Sequence, residues 1–168
     1  MMDTVEEIRP AGRRKAQSDR LRDQRALEAQ LEPEHLRDLL VLLDDLPDTS
    51  RHSLIQKGLA THLLQEALQE FQTLDRAALL KAIQVNAKTI ERNRKGRLQP
   101  MHSDAALALM EVTRMAERIL GNRRLAERWL SEPVRGLDYQ RPIDLLTTSA
   151  GIEAVKTLLV RMEYGVYA

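Results

Sequence analysis

The stretch LDRAALLKAIQVNAKTIERNRKGR, Leu74–Arg97, decides the fold. Its first half brings back Ala78, Leu79, Ala82 and Ile83 at the three- and four-residue spacing of one buried helix face. Asp75 stands where a side-chain oxygen caps the first turn of such a helix. Val85 and Asn86 then form a tight turn. A second short helix starts at Ala87, with Ala87 and Ile90 to pack on the first. Gly96 is expected to end it through glycine's tolerance of left-handed backbone angles. Short helix, brief turn, short basic helix is the helix-turn-helix pattern.

Charge sharpens this reading. Lys88–Arg97 sets Lys88, Arg92, Arg94, Lys95 and Arg97 against one acid, Glu91, with Lys81 just upstream, in a 168-residue chain whose 26 basic and 25 acidic residues nearly cancel. A helix that enters a DNA groove needs an exposed face reaching phosphates and base edges. Positive charge lowers the cost of approaching the polyanion, and Arg and Asn form bidentate contacts to bases. Lys88, Thr89, Arg92, Asn93, Arg94, Lys95 and Arg97 are therefore the candidate DNA contacts. A solvated basic surface is the bland account of the same residues; the short helix and turn before it favour DNA.

Upstream, residues 1 to about 12 are polar and hold Pro10 and Gly12, an expected disordered start. Arg13–Leu31 reads as a charged helix, either a solvated one, a basic arm on nucleic acid, or an acidic helix that docks elsewhere. Leu36, Leu39, Leu40 and Leu43 repeat at helical spacing, with Pro33 in the expected first turn and Pro47 as the stop. Another helix follows Gly58, carrying Leu59, Leu63, Leu64, Ala67, Leu68 and Phe71.

Downstream, Ser103 is the expected cap of a long helix with Leu107, Met110, Val112, Met115, Ile119 and Leu120 on its buried side. A short helix burying Trp129 and Leu130 comes next. An irregular segment with Leu137 and Tyr139 leads to a short helix at Pro142. The last helix, capped by "TTSAG", buries Ile152, Val155, Leu158, Leu159 and Met162. Charge over 103–168 is balanced, nine basic against nine acidic residues, which suits a protein partner better than DNA. The closing RMEYGVYA is apolar for a tail: it folds back on the core or presents tyrosine anchors to a partner.

The expected fold class is all-α: an N-terminal extension (1–50), a helix-turn-helix DNA-binding domain (51–100), and a linking helix with a C-terminal partner-binding domain (101–168). With 43% hydrophobic residues and few aromatics, the core must be Leu, Ile, Val, Ala and Met. The absence of cysteine excludes disulfides, thiolate metal sites and cysteine nucleophiles. No apolar run approaches the ~20 residues of a membrane span, and no signal pattern opens the chain, so a cytoplasmic protein is expected. His35, His52, His62 and His102 lack metal-ligand spacing, and Glu66 and Glu70 read as solvated helix charges. No enzyme, metal or cofactor is implied.

From Trp129 the chain runs through Pro133, Gly136, Pro142, Leu145, Thr147, Gly151, Val155, Leu159, Arg161, Gly165 and Tyr167 in an order that resembles the toxin-binding domain of Xre/MbcA/ParS antitoxins. Residues 89–122 resemble the same family's Xre-type helix-turn-helix and linking helix, and the whole match covers about 54–168. The chain departs from the pattern at ERNRK, where relatives carry paired arginines, and at Ala105. The resemblance implies an antitoxin that neutralises an NAD-consuming RES-domain toxin by covering its active site, and that represses its own operon from operator DNA. Assembly would be a homodimer or a higher hetero-oligomer with the toxin, without membrane. Carried over, the toxin contacts are Arg161, Met162, Glu163, Tyr164, Gly165, Val166, Tyr167 and Ala168, then Thr147, Thr148 and Gly151. The rival reading is a homodimeric helix-turn-helix repressor with no toxin partner.

Overall fold

A computed structural model of the chain describes residues 33–165. The expectations for residues 1–32 and for Val166, Tyr167 and Ala168 lie outside the described residues. The fold is all-α, as expected: among the described residues there are nine α-helices and a 3-10 turn but no strand.

Helix α1 (Leu36–Asp45) begins three residues after Pro33, later than the proline suggests. Its N-cap residue His35 makes no side-chain cap; instead Glu66 of α3 (Thr61–Glu70) accepts from the Leu36 N–H at 2.8 Å. A distant carboxylate thus meets both the orphan amide and the positive end of the helix. Between them, α2 (Asp48–Lys57) ends at Gly58, whose φ is +85° and where a Cβ would lie 2.3 Å from the Leu98 carbonyl oxygen. The Leu59 carbonyl and the Leu98 N–H then join the two segments at 2.8 Å.

The central pair forms as the pattern predicts. Helix α4 (Arg76–Ala82) is capped by Asp75, which accepts from the Ala78 N–H. Helix α5 (Ala87–Arg92) is capped by Asn86, whose side chain accepts from the Thr89 N–H at 2.7 Å. Leu79, Ala82, Ile83, Val85 and Ile90 are buried, while Ala87 is exposed and stands outside the apolar cluster. Left-handed backbone falls in the turn, at Gln84 (φ +59°), rather than at Gly96. Gly96 is needed for space: a Cβ there would lie 2.1 Å from Asn93 Oδ1.

Helix α6 (Pro100–Leu120) is the axis of the molecule. Proline at its first turn starts it three residues before Ser103, and Gly121 at φ +98° ends it. Ser103 is therefore interior to the helix, fully buried, with its hydroxyl accepting from the Leu59 N–H at 2.8 Å and donating to the Gln99 carbonyl. Every residue from Ala105 to Met110 is buried, because α2, α4, α7 (Arg123–Ser131) and α9 (Ser149–Glu163) pack around the helix. Helix α8 (Pro142–Leu145) bridges α4 to α7 and α9. One apolar cluster runs from Leu36 to Leu159, so the central helical pair and the C-terminal helices share a core. Leu130 is buried as expected, with Trp129 only half-buried at its edge.

Candidate functional site

The seven candidate DNA contacts separate by environment. Lys88, Arg92 and Lys95 are exposed, and no ion pair among the described residues neutralises them. Arg94 is exposed but lies 3.4 Å from Glu91, a pair too solvated to immobilise it. Thr89 is half-buried. Asn93 and Arg97 face inward: Asn93 Nδ2 donates to the Arg97 carbonyl at 2.6 Å, and Arg97 Nη1 donates to the Gly58 carbonyl at 2.7 Å. A shallow pocket lined by Thr89, Arg92, Asn93, Arg97, Gln99 and His102 lies at the end of α5.

The C-terminal candidates split across α9. Thr148 caps the helix, its hydroxyl accepting from the Gly151 N–H at 3.1 Å. Gly151 is buried against the Leu145 carbonyl, where a Cβ would sit 2.0 Å away. Thr147 donates to the Asp144 carbonyl, and its own carbonyl accepts from Gln84 Nε2 at 3.0 Å. Thr147 therefore stands beside the end of α4, whose Lys81 reaches Asp144 at 3.2 Å, while Arg141 holds the same carboxylate locally at 2.7 Å. The Arg141 guanidinium holds the Asp144 carboxyl below its ordinary range against the opposing effect of partial burial, with Lys81 helping.

Gly151 and Arg161 lie ten residues apart on α9, so a span of about 15 Å separates the first group from the one at the far end of the helix. There Arg161, Glu163, Tyr164 and Gly165 are exposed, while Met162 packs against the core. Glu163 pairs with Arg118 at 3.6 Å. Tyr164 is 76% exposed and leads into the apolar end of the chain. Of the two arrangements open to RMEYGVYA, the described part presents its tyrosine outward.

Two carboxylates turn out to be structural hubs that pattern reading passes over as surface charges. Glu127 is 1% exposed. It accepts from the backbone N–H groups of Gln72, Thr73 and Leu74, from the Thr73 hydroxyl, and from Arg123 Nε at 3.3 Å. Burial alone would raise its pKa, but the donors from 72–74 outweigh that and hold it below the ordinary carboxylate range. Glu111 accepts from Arg51 Nη2 at 2.7 Å and Lys156 Nζ at 2.8 Å, linking α2, α6 and α9. There too burial pushes upward, and the two cations bring the pKa below its usual value. Glu66 and Glu70 are likewise engaged, Glu66 at α1 and Glu70 3.8 Å from Arg123, which stacks over Phe71 at 4.3 Å. Identity and period carry no signal for these roles, since the 72–74 amides, Arg51 and Lys156 all lie on other elements.

Among the described residues no group of three or more His, Asp or Glu side chains could hold a metal ion, and no helix is long and apolar enough to cross a membrane. Two separate exposed surfaces result: a basic one on α5 and a mixed apolar and charged one at the end of α9.

Comparison with known proteins bears on the second surface. Residues 115–165 match the family described as the antitoxin Xre/MbcA/ParS C-terminal toxin-binding domain. The protein Antitoxin Xre of Yersinia enterocolitica is 26% identical over 117 residues, 68% of this chain and 78% of that one. Antitoxin Xre of Photorhabdus laumondii is 25% identical over 118 residues, 68% and 79% of the two chains. Antitoxin Xre of Pseudomonas putida is 32% identical over 77 residues, covering 44% and 48%. Residues 115–165 thus match the toxin-binding domain of the Xre/MbcA/ParS antitoxins, as the order of residues from Trp129 onward implies.

Proposed function

We propose that the chain neutralises an NAD-consuming RES-type toxin by covering its active site, and represses the operon that encodes both. The observation that carries the first half is the toxin-binding domain at residues 115–165, joined to an exposed, tyrosine-bearing end of α9. Arg161, Tyr164 and the residues after Gly165 are the contacts in this reading. Thr148 and Gly151 serve it indirectly, by starting α9 in the right place. The protein acts by occupying a surface, not by catalysis.

For the second half, support comes from α5, where Lys88, Arg92, Arg94 and Lys95 project from a helix whose one buried residue is Ile90. In this reading they meet phosphates and base edges, while Asn93 and Arg97 hold the end of the helix in shape. The division into an extension (1–50), a DNA-binding part (51–100) and a toxin-binding part (101–168) follows as the functional layout, built over one shared core. The assembly proposed is a homodimer or a higher hetero-oligomer with the toxin.

The test is co-expression with the protein encoded by the neighbouring gene, followed by affinity purification and measurement of cellular NAD. The neighbour alone should deplete NAD and arrest growth; adding this chain should restore both and the two should co-purify. A pair that neither associates nor changes NAD would leave the homodimeric repressor without a toxin.

A further inference from the structure

We infer that Tyr139 is a toxin-binding anchor, a ring held outward on a strained and firmly docked turn, distinct from the C-terminal end of α9. The inference rests on the antitoxin reading above and adds a residue and a second contact region to it.

The turn spans Val134–Gln140 and is closed by an antiparallel bridge between its ends. Within it the Val134 N–H donates to the Gln140 carbonyl at 3.1 Å, the Tyr139 N–H to the Val134 carbonyl at 3.0 Å, and the Gln140 N–H to the Leu137 carbonyl at 2.9 Å. Leu137 is buried in the core beneath. Gly136 lies so close to α9 that a Cβ would approach Leu158 Cδ1 to 2.7 Å. The turn is thus pinned from both sides, by its own hydrogen bonds and by the helix it rests on.

At its tip Asp138 and Tyr139 both adopt left-handed backbone, with φ of +53° and +60°. Aspartate visits that region readily; a tyrosine there is strained, and glycine or asparagine would relieve it. Nor does the fold gain much from the side chain, since the residue is 70% exposed. A bulky aromatic that strains its own backbone and leaves its apolar surface in water has no stabilising role in the isolated chain. Strain held in place by surrounding structure points to function. A tyrosine already fixed in position loses little further freedom when it enters a pocket, and Tyr is favoured as an interface anchor.

The occupant is the toxin rather than nucleic acid. Tyr139 lies within the residues that match the toxin-binding domain, in a part of the chain where nine acidic residues offset nine basic ones. The turn docks on Leu158, and the next turn of that face of α9 carries Arg161 and Met162. The exposed side chains of Val160 and Tyr164 flank the same end of the helix. The turn therefore docks one helical turn before the end of α9, a contact region beside that end.

The experiment uses the full chain and the toxin encoded beside it, with affinity measured by calorimetry and thermal stability measured on the same preparations. Tyr139→Gly and Tyr139→Asn should each raise Tm by about 2–4 °C through relief of strain and weaken toxin binding about thirtyfold or more. Tyr139→Phe, which keeps the ring, should stay within about threefold of the wild-type affinity. A Tyr139→Gly chain that binds as tightly as the wild type overturns the anchor. So does one that loses Tm along with affinity, because the tyrosine would then be holding the fold. A wild-type chain that does not bind the toxin at all removes the antitoxin reading itself, and the anchor with it.

Discussion

Replacing Glu127 tests whether a buried carboxylate on α7 holds the entrance to α4. Its oxygens receive three backbone N–H groups, a hydroxyl and a guanidinium, and the residue is 1% exposed. In Glu127→Ala all five donors lose their acceptor. The Gln72 and Thr73 amides belong to exposed residues and can be rehydrated; the Leu74 amide belongs to a buried one and cannot. Hydrogen bonds to a charged group contribute about 1.5–3 kcal/mol each, and they overlap too strongly here to be added. Removing one member of a buried charged network costs about 3–5 kcal/mol. With Arg123 still 3.8 Å from Glu70 and 3.7 Å from Glu117, about 4 kcal/mol is the expected loss. For a chain of this size that lowers Tm by about 8–16 °C. Glu127→Gln keeps one acceptor oxygen but turns an NH2 toward the amide row, so about half the loss is expected.

The same residue sets a pH signature. Its folded-state pKa lies below the ordinary 4.5, so near that pH the unfolded chain binds more protons and stability rises with pH. The contribution is complete above pH 4.5 and is lost as pH falls through the folded value. Glu127→Gln should flatten this acid limb without abolishing it, because Glu111 and Asp144 are depressed in the same direction. The assay is thermal unfolding by circular dichroism from pH 3 to 7. A Tm within about 2 °C of wild type for Glu127→Ala, or an unchanged acid limb for Glu127→Gln, would refute the reasoning.

Gly151→Ala places a methyl 2.0 Å from the Leu145 carbonyl and should cost about 3 kcal/mol or more as α9 shifts; a normal Tm with lost toxin binding would instead make Gly151 a contact. Changing Arg92 and Lys95 together to Ala should weaken operator binding and reduce the slope of log K against log salt by about 1.8, while Arg97→Ala should lower stability as well, since its guanidinium holds the Gly58 carbonyl. Equal salt slopes for wild type and the double variant would move the DNA surface away from α5. Ser103→Ala leaves the buried Leu59 N–H without its acceptor and should cost about 1–3 kcal/mol in urea unfolding; a loss under 0.5 kcal/mol would show that the Leu59 amide finds another partner.

Much of the chain's local structure is legible in its residues. Leu79, Ala82 and Ile83 mark one helix face, Asp75 caps it, and Thr148 and Gly151 begin the last helix, because a period and a cap depend on neighbours within four positions. Errors arise where the relevant neighbour is remote. Ser103 looks like a cap until Leu59 is brought against it, and Gly96 looks like a left-handed closure until Asn93 folds over it. Ala87 looks like packing surface, yet it stands exposed outside the apolar cluster. The candidate contacts divide in the same way: Thr148 and Gly151 build the start of α9, whereas Tyr164 and Arg92 reach solvent.

The order of residues from Trp129 to Gly165 was enough to point to the toxin-binding domain, and the apolar periods enough to set the described residues as all-α. Which charges are buried was settled only by the tertiary structure. Helical spacing says on which side of its own helix Glu127 sits, but not that the amides of 72–74 would converge there. Likewise nothing local distinguishes Tyr139, exposed on a left-handed turn, from a tyrosine in a core. Burial and backbone strain are imposed by elements distant in the chain, and a residue's identity does not record what will stand across from it.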